Sequence, residues 1–278
     1  MARKQSTFTR RQLLTAAAGA ALLGACADAP GQSTGESPTS VGDPSSAAAT
    51  ALPTTSTTAA SPSTKTAASS TTTAVQNGAP AQFLRSGPIG KSQAALTFHG
   101  AGDAELTRRM VAMLAPAKVP ITIFAVGSWL EDNPGIATLL LDAGHELGNH
   151  TYSHLSLGEL GAADVAAEIR NCRDVLTAQT GRPGRWFRPS AIEVPTDLIR
   201  REAGAAGYAV SVGYDVDSLD YLDPGAAAIV LNVAAAVTDG SIVSLHLGHP
   251  QTIAAMPGVL NVLQTRQLRP VTVSTLLG

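Results

Sequence analysis

Four stretches of this sequence carry side chains that could do chemistry together. In ALTFHGAGD, Ala95 to Asp103, an apolar run delivers His99 into a loop built on Gly100 and Gly102, and Asp103 stands on the far side. In GHELGNHTYSHLSL, His150 and His154 are four residues apart. On a helical turn that spacing turns both imidazoles one way, so that they can grip a single ion. Neutral imidazoles with an oxygen ligand beside them suit zinc. Surface histidines beside the capping residues Thr151 and Ser153 are the plainer alternative. In SIVSLHLGHP, His246 ends a nearly continuous apolar strand, where a satisfied core histidine is the alternative. In VGYDVDSLDYLD, Asp215, Asp217 and Asp220 crowd a strand end, and any of them that is buried needs a cation or a histidine as partner. With Arg188, these acids and imidazoles suit metal-assisted hydrolysis. His145 reads as structural or solvated, and His249 as looser and more exposed.

Such residues need a scaffold that brings them to one place. AALTF, PITIFAV, YAVSVGYD and SIVSLH read as strands, Glu146 to Asn149 as a short edge, and Arg185 to Pro189 as a strand end entering a loop. ELTRRMVAMLAPA reads as a helix with Leu106, Met110, Met113 and Leu114 on one face. IATLLLDAG, TDLIRREAGAAG and AAAIVLNVAAAV are helical, and the longest helical segment runs through LSLGELGAADVAAEIRNCRDVLTAQTG to Gly181. MPGVLNVLQTRQ is helical with a break expected near Pro257-Gly258. Strand and helix alternate about six times, which argues for an α/β fold of parallel strands covered by helices. Periodicity fits a barrel and an open sheet equally. In both, the loops after the strands collect polar chemistry, and His99, His150, Arg188, Asp215, Asp217 and His246 all follow or end apolar runs.

All six histidines lie beyond residue 98 of the 278-residue chain. Residues 1–26 have a basic start with Arg10-Arg11, an apolar stretch from Leu13 to Leu23, and Leu23-Gly24-Ala25-Cys26. The apolar stretch is short for a bilayer span and reads as an export signal of twin-arginine type. Its end resembles a lipobox that would leave Cys26 lipid-modified, anchoring the protein to the outer face of the membrane. Residues 27–82, rich in Ser, Thr, Ala and Pro, read as a disordered tether, and residues 83–278 as the catalytic domain. Nineteen Lys and Arg against 21 Asp and Glu, with no basic block, give no footprint for nucleic acid. With Cys26 lipidated, Cys172 is left as a buried free thiol.

From about residue 90 onward the chain resembles the polysaccharide deacetylase family, the NodB-homology or carbohydrate esterase family 4 domain. That family's Thr-Phe-Asp-Asp-Gly motif corresponds to Thr97-Phe98-His99-Gly100-Ala101, and its histidine motif to His150-Thr151-Tyr152-Ser153-His154. Its arginine-proline motif corresponds to Arg185 with Phe187-Arg188-Pro189, its acid-rich motif to Asp217-Ser218-Leu219-Asp220 before Tyr221, and its last motif to Val243-Ser244-Leu245-His246. The resemblance implies a distorted (β/α) barrel and removal of acetyl groups from N-acetylated sugars of peptidoglycan- or chitin-like polymers, with some relatives acting on O-acetyl groups. It implies that His150 and His154 bind a divalent metal, that His246 is the general acid oriented by Asp217, and that Arg188 orients the residue in the base position. Tyr152, Trp186 and Tyr221 are then candidate sugar contacts, and Trp186 is equally a core residue.

The first motif departs from the family, because its base and one metal ligand are aspartates where His99 and Gly100 stand here. In one repair, His99 is the base and Asp103 folds back to the metal through the permissive glycines. In the other, His99 is the third metal ligand and Asp103 the base. The first leaves each strand-end position in its family role and is the preferred expectation. Asp103 directly before a helix is also a good N-cap. A glycan-binding module without turnover and an O-acetyl esterase are the alternatives to a deacetylase.

Overall fold

Strand β2, Gln93–Gly100, is the axis of the molecule, a run of eight residues buried from Gln93 to Phe98. The computed structural model describes residues 78–278, so the proposed signal, Cys26 and most of the tether lie outside the described residues. Among the described residues no helix is long and apolar enough to cross a membrane.

The strands β1 (Gln82–Leu84), β3 (Thr122–Ala125), β4 (Glu146–Asn149), β5 (Val210–Val212), β6 (Val216–Asp217), β7 (Ile242–His246) and β8 (Arg269–Val271) complete the set. One parallel sheet runs β4-β3-β2-β7-β6, with β8 paired to the start of β2, while β1 pairs in parallel with β5. Phe187 joins the two sheets, bridging to Asn149 on one side and to Ser211 on the other. An antiparallel bridge from Ser86 to Ser241 then brings the chain after β1 against the start of β7. The strands thus curl into a distorted (β/α) barrel, the alternative that periodicity left open. Ala81 is already buried and donates its N–H to the Arg200 carbonyl, so the packed domain starts slightly before residue 83.

The covering helices are α1 (Ala104–Leu114), α2 (Gly127–Asp132), α3 (Ile136–Asp142), α4 (Ala162–Thr180), α5 (Asp197–Ala205), α6 (Ala226–Ala236), α7 (Pro250–Thr265) and α8 (Val273–Leu277). Leu96 and Phe98 of β2 pack outward with Met110 and Leu114 of α1 and with Met256 and Val259 of α7 in the main core. Three expectations change. First, α7 begins earlier, at Pro250, and runs through Pro257 without a break. The Pro257 ring lies on the exposed face, where the carbonyl it frees can reach water. Second, the short helix α2 was not anticipated. Its six residues, GSWLED, are too few to show a helical period between β3 and the Asn133-Pro134-Gly135 turn. Third, α4 begins only at Ala162, and Leu155 to Gly161 are a loop with a single 3-10 turn at Leu157–Glu159, where Gly158 and Gly161 disfavour a regular helix.

Parallel register sets the chemistry at one rim. His99 pairs across the sheet with His246 on one side and with Phe124 on the other, and Ala125 pairs with Asn149, just before His150. The C-terminal ends of β2, β4 and β7 therefore meet, as parallel strands of a barrel require.

Candidate functional site

His99, His150 and His154 each offer a ring nitrogen, and all three nitrogens lie within 4.8 Å of one another. His99 points into the barrel near the end of β2. His150 and His154 come from the loop after β4 rather than from a helical turn. Thr151 and His154 both adopt left-handed backbone, with φ of 67° and 58°. A β-branched residue rarely does so, and the strain persists because the surroundings hold it. Asn149 Oδ1 accepts from the Thr151 N–H at 2.8 Å, and the Thr151 hydroxyl bonds to Ser190. Buried Glu168 of α4 accepts from the Tyr152 and Ser153 N–H groups at 3.0 and 2.8 Å. The i,i+4 spacing thus does converge on one point, through a clamped loop.

The outer nitrogens are held as well. His150 Nδ1 donates to the Arg188 carbonyl at 2.9 Å, because a carbonyl can only accept. This leaves the His150 Nε2 lone pair facing His99 Nδ1 at 2.8 Å. His99 Nε2 bonds to the buried Ser244 hydroxyl at 3.1 Å. With Nε2 protonated and donating to Ser244, two lone pairs would face each other, which requires a cation between them. With the Ser244 hydroxyl donating instead, His99 Nδ1 carries the proton to His150. A hydroxyl can rotate to serve either arrangement. Burial first, and then the neighbouring imidazoles and Arg188, hold His99 well below the usual imidazole pKa. Burial and then His154 do the same to His150. Both rings are therefore kept neutral, the form that binds a metal. Three imidazoles, two of them with fixed outer nitrogens, are a donor set that fits a divalent metal ion.

Beside this cluster His246 stacks on His99, with ring centroids 4.3 Å apart and planes 9° from parallel. Its partner is Asp220, where Asp217 was expected. Asp220 is fully buried, and its Oδ1 lies 2.7 Å from His246 Nδ1. Its Oδ2 accepts from the His246 N–H and the Thr252 hydroxyl, both at 2.7 Å. Burial works against its charge, but these bonds outweigh it and hold the Asp220 carboxyl below the usual value. Asp217 instead accepts from the Leu219 N–H at 3.0 Å and turns into the cavity wall. Leu219 adopts a left-handed conformation, φ 56°, and that turn carries Asp220 back under His246.

Asp103 also lies elsewhere. Its carboxylate is the N-cap of α1, accepting from the Glu105 N–H at 2.7 Å, and the residue is exposed. The loop that carries it is pinned, since the Trp129 indole donates to the Gly102 carbonyl at 2.7 Å. A Cβ on Gly102 would meet Gly248 Cα at 2.9 Å, so two glycine backbones touch there. Among the described residues, the side chains placed to share an ion are the three histidines, without Asp103.

A cavity of about 210 Å³ opens over the cluster, walled by His99, His154, Arg188, Tyr214, Asp217, Tyr221 and His246 among others. A larger one, about 740 Å³, lies around the start of β4 and contains none of the clustered histidines, so volume does not locate the chemistry here. Tyr221 stands at the mouth, tilted against His246 at 5.4 Å. Trp186 does not contribute, since it is buried in the core with its indole bonded to Glu146 and Ser274. Tyr152 is turned away, its hydroxyl donating to Glu131 at 2.7 Å. His145 is buried and structural, and His249 pairs with Asp223. Cys172 is a buried free thiol, pushed up to about 12 by burial. Tyr214, Ser244 and the pairing role of Asp220 were missed. Asp220 carried a signal, as one of three acids at a strand end that needed a partner, but Ser244 and Tyr214 carried none.

Arg188 is fully buried and has no acidic partner among the described residues. Its Nε and Nη2 donate to the Val212 and Gly213 carbonyls at 3.0 and 2.9 Å, and Nη1 has no acceptor. Its guanidinium lies 4.1 Å over the Phe124 ring, and burial pushes its pKa down to about 9. It does not hydrogen-bond to His99, whose two nitrogens are already engaged.

Residues 86–211 match the family model described as Polysaccharide deacetylase. A peptidoglycan-N-acetylglucosamine deacetylase of Bacillus cereus is 32% identical over 187 residues, covering 66% of this chain and 87% of that protein. Among solved structures, the Bc1960 peptidoglycan N-acetylglucosamine deacetylase is similar with a TM-score of 0.67 and 26% identity, over 71% of this chain and 93% of that one. BA3943, a CE4 family pseudoenzyme from Bacillus anthracis, shares the fold with a TM-score of 0.67 at 24% identity, over 72% of this chain and 70% of that one.

Proposed function

Because this chain belongs to the polysaccharide deacetylase family, we propose that it is a metal-dependent hydrolase that removes acetyl groups from N-acetylated carbohydrate of the peptidoglycan or chitin type. In this reading the His-Gly pair at 99–100 is a variant of the family's two aspartates, and His99 is the third metal ligand beside His150 and His154. One observation carries it: three imidazole nitrogens converge within 4.8 Å, and His246, backed by Asp220, stacks against one of them. A zinc ion bound there would polarise the acetyl carbonyl and make water a better nucleophile. His246, with Asp220 at its Nδ1, takes the proton from the attacking water at Nε2. It returns that proton to the departing amine. Asp220 stabilises the imidazolium between those two steps. Tyr221 packs the sugar at the cavity mouth. The N-terminal sequence supports export and a lipid anchor at Cys26, with residues 27–82 as a tether towards the cell wall.

The test is metal analysis of the purified protein, together with acetate release from N-acetylated glycan oligomers, for the wild type and for His150→Ala. Bound zinc and acetate release, both lost in the variant, are expected. A protein that holds no metal and releases no acetate would sink the reading. A second reading, glycan binding without turnover, draws on the cluster's lack of a carboxylate. It predicts glycan affinity that metal removal leaves unchanged. Faster release from O-acetyl than from N-acetyl substrates would make the enzyme an esterase on the same site.

A further inference from the structure

Surface charge is sorted between the two rims of the barrel. At the N-terminal ends of the strands, opposite the histidines, lie Lys91 before β2, Lys118 before β3, Arg182 and Arg185 before the Phe187 bridge, Arg266 after α7 and Arg269 at the start of β8. All six are exposed, and none pairs with an Asp or Glu among the described residues. Of the acids at that end, Glu146 is held by Thr122, Trp186 and Ser274, and Asp239 accepts from the Gly90 and Gln93 N–H groups. Asp142 closes α3, and Glu202 lies in the last turn of α5. The rim around the histidines has the opposite sign, with Asp103, Glu159, Asp217 and Asp223. A second feature sits among the cations. Ile89, two residues before Lys91, is 81% exposed, more than any other large apolar side chain among the described residues. Its loop is pinned on both sides, because the Gly87 N–H donates to the Gly240 carbonyl at 2.7 Å and the Gly90 N–H to Asp239. Leu141, 40% exposed, lines the larger cavity at this end together with Arg182 and Arg185. A single exposed apolar side chain needs no explanation, but one held outward within a ring of cations has the composition of an interfacial membrane contact.

We propose that the N-terminal rim of the barrel docks on an anionic lipid surface, with Ile89 entering the interface and the surrounding Lys and Arg side chains meeting the lipid phosphates. Charge complementarity supplies the attraction, and it acts only within about a Debye length of the surface. A soluble polyanion would satisfy the cations but would give Ile89 nothing to enter, which favours lipid. The path of the chain agrees. The Ala79 carbonyl fills the place that a Cβ on Gly204, at the end of α5, would take, and the Ala81 N–H donates to the Arg200 carbonyl. The chain therefore joins the barrel at its basic end, next to the surface to which an N-terminal anchor would tie it. Docked in this way, the acidic rim and the cavity over the histidines point away from the membrane, and the surface charge of the lipid repels that rim. The inference is independent of the reaction at the histidines, since it uses none of their residues.

The test reads which rim meets lipid. Full-length protein carrying Cys26→Ser and Ile89→Cys is labelled at residue 89 with an environment-sensitive fluorophore, Cys172 being buried. A matched protein is labelled through Val194→Cys, at an exposed position in the loop on the opposite rim. Each is mixed with phosphatidylcholine vesicles, with or without phosphatidylglycerol. Any hold by the N-terminal apolar stretch is common to both proteins, so the difference between the labels reports orientation. On the anionic vesicles the label at 89 should shift to the blue and be quenched by a lipid-borne quencher, while the label at 194 stays as in water. Each cation near an anionic surface is worth about fivefold in partitioning. Lys91→Gln combined with Arg269→Gln, with the thermal transition retained, should therefore raise the lipid needed for the half-maximal shift on the order of tenfold, and added salt should act in the same direction. No shift at 89 on anionic vesicles, or an equal shift at 194, overturns the proposal. So does a shift that neither salt nor the paired substitution weakens. A shift reproduced by soluble polyglycerol phosphate without lipid would make the partner a polymer and would overturn the membrane assignment as well.

Discussion

Replacing Asp220 by asparagine separates proton transfer from folding and from metal binding. In the wild type, Oδ2 accepts from the His246 N–H and the Thr252 hydroxyl, and Oδ1 faces His246 Nδ1, each at 2.7 Å. Asparagine keeps one oxygen. It must stay with the main-chain N–H of His246, because that donor cannot reverse. The new NH2 then faces His246 Nδ1 and forces the proton of the neutral ring onto Nε2. The nitrogen that should accept from water loses its lone pair, and the imidazolium loses the charge behind it. Carboxylate-imidazole pairs disturbed in this way elsewhere lose about 10⁴ in kcat, and a loss of about 10³- to 10⁴-fold is expected here. Every donor around the side chain still finds an acceptor, so the unfolding free energy should change by only about 1 kcal/mol. Zinc content should be unchanged, since Asp220 touches no clustered histidine except through His246. The assay pairs acetate release with zinc quantification and thermal melts for Asp220→Asn and, as control, Asp217→Asn, which should change kcat by roughly threefold or less. Activity of Asp220→Asn within tenfold of wild type, or an Asp217→Asn loss as large, would refute the reasoning.

Three further outcomes follow from the same geometry. Ser244→Ala leaves His99 Nε2 without its partner and should weaken zinc binding by about tenfold to a hundredfold, read by competition with a chelator; unchanged affinity would count against the second-sphere role of Ser244. Burial holds His99 and His150 well below 6.5, so on acidification the unfolded chain takes up protons that the folded metal-free protein refuses. Stability is then fully present above pH 6.5 and falls as pH drops toward the folded values, which urea unfolding of the metal-free protein at pH 7.5 and 5.5 measures; a midpoint that rises in acid would contradict it. Gly100→Asp cannot simply restore the family's second aspartate, because a Cβ there would lie 2.6 Å from Ile123 Cγ2 and 3.0 Å from Ala125 Cα. It should cost roughly 1–3 kcal/mol of stability, read as a lowered Tm, without raising activity.

Among the described residues the histidine cluster includes no acidic side chain, and that changes how the site must be read. Where an aspartate would offset the charge of an ion and engage a neighbouring arginine, His99 does neither. His246 is then the imidazole of the site with a carboxylate, Asp220, directly behind it.

Much of this was legible in sequence order. Apolar periods marked β2, β3, β5 and β7 and the long helices, because the alternation of buried and exposed faces is a local property of the chain. His150, His154 and His246 announced themselves by type and by their place at the ends of apolar runs. What sequence could not decide was direction at the loops. Barrel closure depends on single bridges at Phe187 and Ser86 that no periodicity encodes. Asp103 and His99 were interchangeable on chemistry. The glycine contact between Gly102 and Gly248 and the N-terminus of α1 assign Asp103 to a cap, while parallel register sets His99 against His246. Asp217 and Asp220 are three residues apart at one strand end. The left-handed turn at Leu219 determines which of them lies under the imidazole, and a backbone path held by contacts distant in sequence is decided only by tertiary structure.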